Sequence, residues 1–212
     1  RALPYLAAAL SAGSRSPALA FTLARTLDDS AVEAVIPQTD HVFGLEFGPD
    51  GRLLVGVHGN VRSPALEPAM PIVTLPVPGL ATWRGDGSAI VVAPLVGAPL
   101  MVDRDGHVIA RLPAGPGSGA PETLAIAPAG DRVAIATHSG DLAVWDLAHR
   151  TLVAGVHAHD GVIRRLAFSP DGALVATAGA DDGIAKLWRA ADGTAVATLA
   201  PQLGTVRDLA FS

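Results

Sequence analysis

One pattern of residues recurs along this chain every 42 or 43 positions. Leu-Ala-Phe-Ser occurs at 166–169 and again 43 residues later at 209–212, and Trp145 and Trp188 are also 43 residues apart. Turn-forming segments of the Pro-Asp-Gly type end at four glycines: Gly51, Gly87, Gly130 and Gly172. A period of this length predicts small supersecondary units that bury their apolar faces against one another.

Each unit has the pattern of short antiparallel strands. In the last complete unit an alternating Leu-x-Phe segment ends at Phe168, a Pro-Asp-Gly turn follows, and an apolar strand is predicted at 174–178. A third strand ends at Trp188, and a fourth is predicted at 194–199. Four strands per unit predict an all-β propeller of about four blades and the start of a fifth. The proline-rich segment 60–78 gives no assignable outer strands.

The last complete unit resembles the WD-repeat family. An Asp-Gly-x-x-x-x-Trp segment ends at Trp188, and Ala-His ending at His159 stands where the family has Gly-His. The resemblance covers about 31–212 and is strongest in the last two complete blades. It implies a WD-repeat β-propeller in which four side chains form a buried hydrogen-bond network within the blade: His159, Thr177, Asp182 and Trp188.

The preceding unit departs from the family pattern. The Trp145-Asp146 pair and Thr137 match it, but Ser139 occupies the place of the aspartate and no upstream histidine is present. We therefore expect an incomplete network there. His, hydroxyl and carboxylate groups also form hydrolase triads, but here they match a stabilising pattern, so no catalytic residue is expected.

Two other motifs have a functional and a structural interpretation. His157 and His159, followed by Asp160, suggest a metal site, but no third ligand at suitable spacing follows. One structural histidine and one exposed neighbour are the favoured interpretation. The glycine-rich segment 115–119 lacks the Lys-Ser/Thr of a phosphate-binding loop. It is predicted to be a loop between blades, and neither a metal nor a cofactor is expected.

The segment before the repeats has a different periodicity. Leu3, Leu6 and Leu10 recur at helical spacing, and Ser16-Pro17 is a typical helix start. Residues 1–29 are thus predicted to form a helical hairpin, similar to the end of a tetratricopeptide-like region; the alternative is the tail of a signal peptide. A strand is predicted at 31–36.

Completing a ring of six to eight blades requires further sequence, so we expect a fragment of a longer protein, with a domain upstream. The sequence resembles the C-terminal propeller region of large bacterial signalling proteins, some of which carry a kinase domain.

Charge and composition exclude several partners. The net charge is -5, with no basic run that could follow a phosphate backbone, so nucleic acid is not expected. There is no cysteine for disulfides or thiolate metal sites. No apolar run is long enough to insert into a membrane, and a cytoplasmic location is expected.

The sequence therefore predicts a non-catalytic scaffold. A protein or peptide is expected to bind the face that carries the loops before each first strand, with Arg164 and Arg207 as candidate contacts. The alternative is an enzyme or ligand-sensing propeller with a small-molecule site in the central channel. That site would need polar side chains to converge from the innermost strands.

Overall fold

The computed structural model describes residues 42–48, 53–57, 61–63, 73–75, 77–117, 119–199, 206 and 208–211. All of them belong to the compact unit Gln38–Ser212. The predicted helical hairpin at 1–29 and the strand at 31–36 lie outside the described residues. Within the described part of the chain, no helix is long and apolar enough to cross a membrane.

In the described part of the chain, sixteen strands form four antiparallel sheets, each with its strands in sequence order. The first sheet contains β1 (Val42–Phe47), β2 (Leu53–Val57), β3 (Val61–Ser63) and β4 (Val73–Thr74). The second contains β5 (Gly79–Trp83), β6 (Ile90–Pro94), β7 (Leu100–Val102) and β8 (Val108–Arg111). The third contains β9 (Pro121–Ile126), β10 (Arg132–Thr137), β11 (Asp141–Asp146) and β12 (Thr151–His157). The fourth contains β13 (Ile163–Phe168), β14 (Leu174–Gly179), β15 (Ala185–Arg189) and β16 (Ala195–Leu199).

The turn between the first and second strands is the same in the last three sheets. Gly87, Gly130 and Gly172 have φ of 66°, 71° and 70°, values that glycine adopts without steric cost. Each glycine N–H donates to the carbonyl three residues before it, on Arg84, Ala127 and Ser169 respectively. The predicted turns are confirmed at these three positions, and Gly51 lies outside the described residues.

The hydrophobic cores lie between sheets. In β6, Ile90 and Val92 join a core that includes Leu54 of the first sheet. The alternate residues Val91 and Ala93 join a second core, which extends to Trp145 of the third sheet. Because successive side chains of a strand point to opposite faces, the second sheet is buried on both faces. A third core joins the third and fourth sheets in the same way.

Neighbouring sheets meet along their first strands, β5 against β9 and β9 against β13. Four four-stranded antiparallel sheets packed face to face in this order are consistent with a WD-repeat propeller. The start of each first strand pairs with the end of the second, as Pro121 pairs with Thr137 and Ile163 with Gly179. Loops before first strands and turns after second strands therefore share one edge. We call this edge, with segments 95–99, 113–117, 138–140, 158–162 and 180–184, the loop face.

Candidate functional site

Four side chains of the fourth sheet and its preceding loop form a continuous chain of hydrogen bonds. His159 Nδ1 lies 2.7 Å from Asp182 Oδ2, and His159 Nε2 lies 2.9 Å from Thr177 Oγ1. The indole Nε1–H of Trp188 donates to the same hydroxyl oxygen at 2.9 Å. The structure thus brings together the four residues that the resemblance singled out.

Each donor in this chain of hydrogen bonds has a matching acceptor. The indole can only donate, so Thr177 Oγ1 accepts from Trp188 and can direct its own hydrogen to His159 Nε2. His159 Nδ1–H then donates to the carboxylate of Asp182. The His159 side chain is 0% exposed, so it has no route to a substrate in solution. Burial with every polar atom engaged is typical of a stabilising network.

Asp182 is the outermost member of the network and is partly exposed at the protein surface. Burial alone would raise the pKa of Asp182, but the hydrogen bonds from His159 and from the Ile184 N–H outweigh it and lower the pKa. Lys186 adds an attractive charge and donates from Nζ to the carbonyl of Ala158 at 2.6 Å. Lys186 was not among the residues predicted from the sequence, because its one signal there is a charge within an apolar strand.

The third sheet satisfies its tryptophan differently. Trp145 pairs with Val133, as Trp188 pairs with Val175. In this register the place of Thr177 belongs to Ile135, so the assignment of Thr137 to that place is wrong. Thr137 pairs with Pro121 at the strand end, whereas Thr177 pairs with Leu166. The assignment followed the hydroxyl of Thr137 and not the spacing, since the 42-residue step between Gly130 and Gly172 leads from Thr177 to Ile135.

Without a hydroxyl beside it, the Trp145 indole donates to the carbonyl of Pro113 at 2.9 Å. The glycine-rich loop makes this possible by lying against the ring. A Cβ on Gly115 would be 3.0 Å from the indole, so a larger residue would push the loop away. The predicted loop between blades is confirmed, and it takes over a role that side chains have in the fourth sheet.

The two histidines considered as metal ligands have different partners. His157 Nδ1 lies 3.0 Å from Asp141 Oδ1, and Asp141 Oδ2 accepts the Ser139 hydroxyl at 2.7 Å. His159 contacts Asp182 instead. The side chain of His157 is largely exposed and that of His159 is buried. This arrangement matches one structural histidine and one exposed neighbour.

Among the described residues, Asp103, Asp105 and His107 form a group whose ligand atoms lie within 4.8 Å of one another. They belong to the turn between β7 and β8. Asp103 Oδ1 accepts the backbone N–H of Asp105 and of His107, both at 2.9 Å. The bond from the His107 N–H is the main reason why the pKa of Asp103 is lowered. Through these contacts the carboxylate of Asp103 stabilises the backbone of the turn that it begins.

Asp146, the acidic partner in the Trp145-Asp146 pair, has the same role in the corresponding turn of the third sheet, between β11 and β12. It accepts the N–H of His149 at 2.8 Å, and its other oxygen lies 3.0 Å from the His149 ring. The backbone hydrogen bond is the largest cause of its lowered pKa.

Charged side chains meet on the loop face. Arg164, in β13, lies 3.9 Å from Glu122 Oε1, and His138 Nε2 lies 2.7 Å from Glu122 Oε2. The Arg164 and His138 side chains are about half exposed, and ion pairs of this kind are weak enough to be exchanged for a partner's groups. The second candidate contact, Arg207, lies outside the described residues.

Glu46 is the acidic group in the innermost strand of the first sheet. Its oxygens accept the hydroxyl of Thr82 at 3.0 Å and the N–H of Trp83 at 3.3 Å, so it joins the first sheet to the second. Burial raises the pKa of Glu46, and these two bonds oppose the rise. Both oxygens are bonded to the second sheet, so Glu46 links two neighbouring blades.

Comparison with known proteins supports the same family. Residues 150–189 match the family described as WD domain, G-beta repeat. A 60-residue stretch is 43% identical to "WD repeat-containing protein 3" of Mus musculus. This alignment covers 28% of the chain and 6% of the mouse protein, so the chain spans only a small part of that relative. WD repeats generally mediate protein–protein interactions, and WD-repeat proteins are typically non-enzymatic scaffolds.

Proposed function

We propose that this chain is a non-catalytic scaffold whose loop face binds a protein or peptide. The observation that carries the proposal is the environment of His159, which is fully buried and bonded through both ring nitrogens to Asp182 and Thr177. A general base must reach the proton it removes. Groups that resemble a hydrolase triad are therefore used to stiffen a blade.

The polar side chains of Arg164, Glu122 and His138 support binding at the loop face. They project from two different sheets at one edge; the third sheet is packed on both faces, and the fourth packs against it through one shared core. A rigid surface loses little conformational entropy when a partner binds. Arginine is also enriched among residues that dominate binding energy.

A crosslinking experiment tests this proposal. A photo-crosslinking amino acid would be placed at His138 on the loop face and, as a control, at Asp171 in the turn at the opposite edge. We expect a discrete protein partner to crosslink from position 138 and not from position 171. Crosslinks from position 171 alone, or clear turnover in a panel of hydrolase and redox substrates, would overturn the proposal.

We place this scaffold in a larger cytoplasmic signalling protein. The support is the resemblance to the propeller region of such proteins and the helical spacing of Leu3, Leu6 and Leu10 before the repeats. Reading the gene on both sides of this segment tests the assignment. A neighbouring signalling domain is expected, and an adjoining secretion signal would contradict it.

A further inference from the structure

A cavity of about 340 Å³ opens on the loop face between the second and third sheets. One wall is formed by Pro94 at the end of β6 and the turn 95–99 that follows, and the other is the loop 114–117. The floor is formed by Ile135, Ala143 and Trp145 of the third sheet. We call this space the interblade cavity. Its volume lies in the range of roughly 300–1,000 Å³ that is usual for ligand sites.

The cavity exists because bulky residues of the next blade have small counterparts here. By strand register, Ile135, Ala143 and Trp145 correspond to Thr177, Lys186 and Trp188. In the fourth sheet this space receives the imidazole of His159 and the side chain of Lys186. In the third sheet alanine replaces the lysine, and the preceding loop, 114–120, offers only Ala, Gly, Pro and Ser in place of histidine.

The lining has the chemistry of a site for a basic side chain. Ile135, Ala143 and the ring of Trp145 offer an apolar surface, and Val96 at the rim is 90% exposed. Asp141 supplies a negative charge, and the described lining residues include no lysine, arginine or histidine. Lysine and arginine bury an apolar stem and carry their charge at its end.

The fourth sheet holds such a group in the corresponding place. Lys186 occupies the strand position that corresponds to Ala143, and its ammonium group donates to the Ala158 carbonyl at 2.6 Å. The ammonium charge also lowers the pKa of Asp182. The third sheet keeps the apolar floor and a carboxylate but lacks the cation. The group that would complete the site in the third sheet is therefore a side chain with an apolar stem and a positive end.

We propose that the interblade cavity binds a lysine or arginine side chain of a partner peptide, with the stem against Trp145 and Ile135 and the charge against Asp141. This rests on the proposed function, to which it adds the chemistry of the partner. His157 and Ser139 also contact Asp141 and hold its carboxylate in position. The bound cation shares that carboxylate with them.

The test uses the whole chain, labelled with ¹⁵N, and capped tripeptides Ala-X-Ala in which X is lysine, arginine, norleucine or glutamate. Lysine and arginine peptides are expected to cause saturable shifts at Val96, Asp141 and the Trp145 indole, whereas norleucine and glutamate peptides cause none. Equal shifts with norleucine, or shifts confined to other residues, would overturn the proposal.

Three variants sharpen this test. Asp141→Asn should weaken binding about tenfold or more, since a hydrogen bond to a charged group is lost. Asp181→Asn removes the same charge from an exposed loop-face position and should leave binding unchanged. Ala143→Lys should fill the cavity with a built-in lysine and abolish binding. If Ala143→Lys fails to fold, as circular dichroism would show, Asp141→Asn decides: unchanged affinity refutes the proposal.

Failure here is distinguishable from failure of the proposed function. If position 138 still crosslinks its partner while lysine and arginine peptides do not bind, the scaffold function stands and the cavity assignment fails. If these peptides bind the cavity but no partner crosslinks at the loop face, the scaffold function fails.

Discussion

Replacing Thr177 by valine tests the hydrogen-bond network with almost no change of shape. The hydroxyl accepts from the Trp188 indole and bonds His159 Nε2, both at 2.9 Å, in a residue that is 0% exposed. Valine would leave the indole N–H and the imidazole nitrogen without their partner inside the protein. Each buried polar group left unpaired costs about 1–3 kcal/mol, so the free energy of unfolding should fall by about 2–6 kcal/mol for the two groups.

Urea unfolding followed by circular dichroism measures this loss. Thr198→Val, on the exposed strand β16, is the matched control and should change stability by about 0.5 kcal/mol or less. Hydrogen exchange of the indole protons adds a local readout. Exchange should accelerate at Trp188 and stay unchanged at Trp145, whose indole donates to Pro113 instead.

A loss in Thr177→Val no larger than that of the control would refute this reasoning. The blade would then be held by apolar packing around Trp188, and the polar chain would be incidental. Faster exchange at Trp145 as well would show that the two sheets loosen together, contrary to the separate hydrogen-bond partners described above.

Three further predictions follow from the geometry. The pKa of Glu46 is raised in the folded protein, so its contribution to stability is full below the pKa that Glu46 has in the unfolded chain. That contribution is lost as the pH rises through the pKa of Glu46 in the folded protein. The melting temperature of Glu46→Gln should therefore rise relative to that of wild type between about pH 4 and about pH 7. Gly140→Ala would place a Cβ against the His159 carbonyl at φ of 85°, whereas the Cβ of Gly97→Ala, at φ of 101°, would meet open space. In urea unfolding, the first substitution should lower the free energy of unfolding by about 2 kcal/mol more than the second. Equal losses would argue against the contact with His159. The pKa of Asp182 is lowered in the folded protein, so its contribution to stability is present above its unfolded pKa and is lost as the pH falls through its folded pKa. The stability advantage of wild type over Asp182→Asn should therefore shrink between about pH 5 and about pH 3. A constant difference in stability across this range would contradict the prediction.

The repeat period and its turns were accessible from the sequence because their signals are local. A glycine needed at positive φ, as at Gly130 and Gly172, marks a turn wherever the chain runs next. Alternating apolar residues on either side then predict strands, and their recurrence predicts blades. The equivalent places of Trp145 and Trp188 in their sheets confirm the interpretation that followed from this period.

The residue beside each indole was not accessible from residue types, because a hydroxyl elsewhere on the same strand can be mistaken for the one that meets the tryptophan. The structure puts Ile135 where the hydroxyl of Thr137 had been expected. It also shows that the acceptor for the Trp145 indole is a carbonyl 32 residues earlier in the chain. Backbone acceptors carry no residue-type signal, so no motif could have identified Pro113.

What the sequence determined by itself is the unit: four short strands, a glycine turn, and the residue types of one polar network. What only the tertiary structure decided is how adjacent units meet. Glu46 accepts a hydrogen bond from Thr82 of the neighbouring sheet. Lys186 fills its place between the third and fourth sheets, whereas the corresponding place over Ala143, between the second and third sheets, is an open cavity. The physical reason is that packing between blades depends on side-chain volume from both partners at once, whereas strands and turns depend on neighbours along the chain.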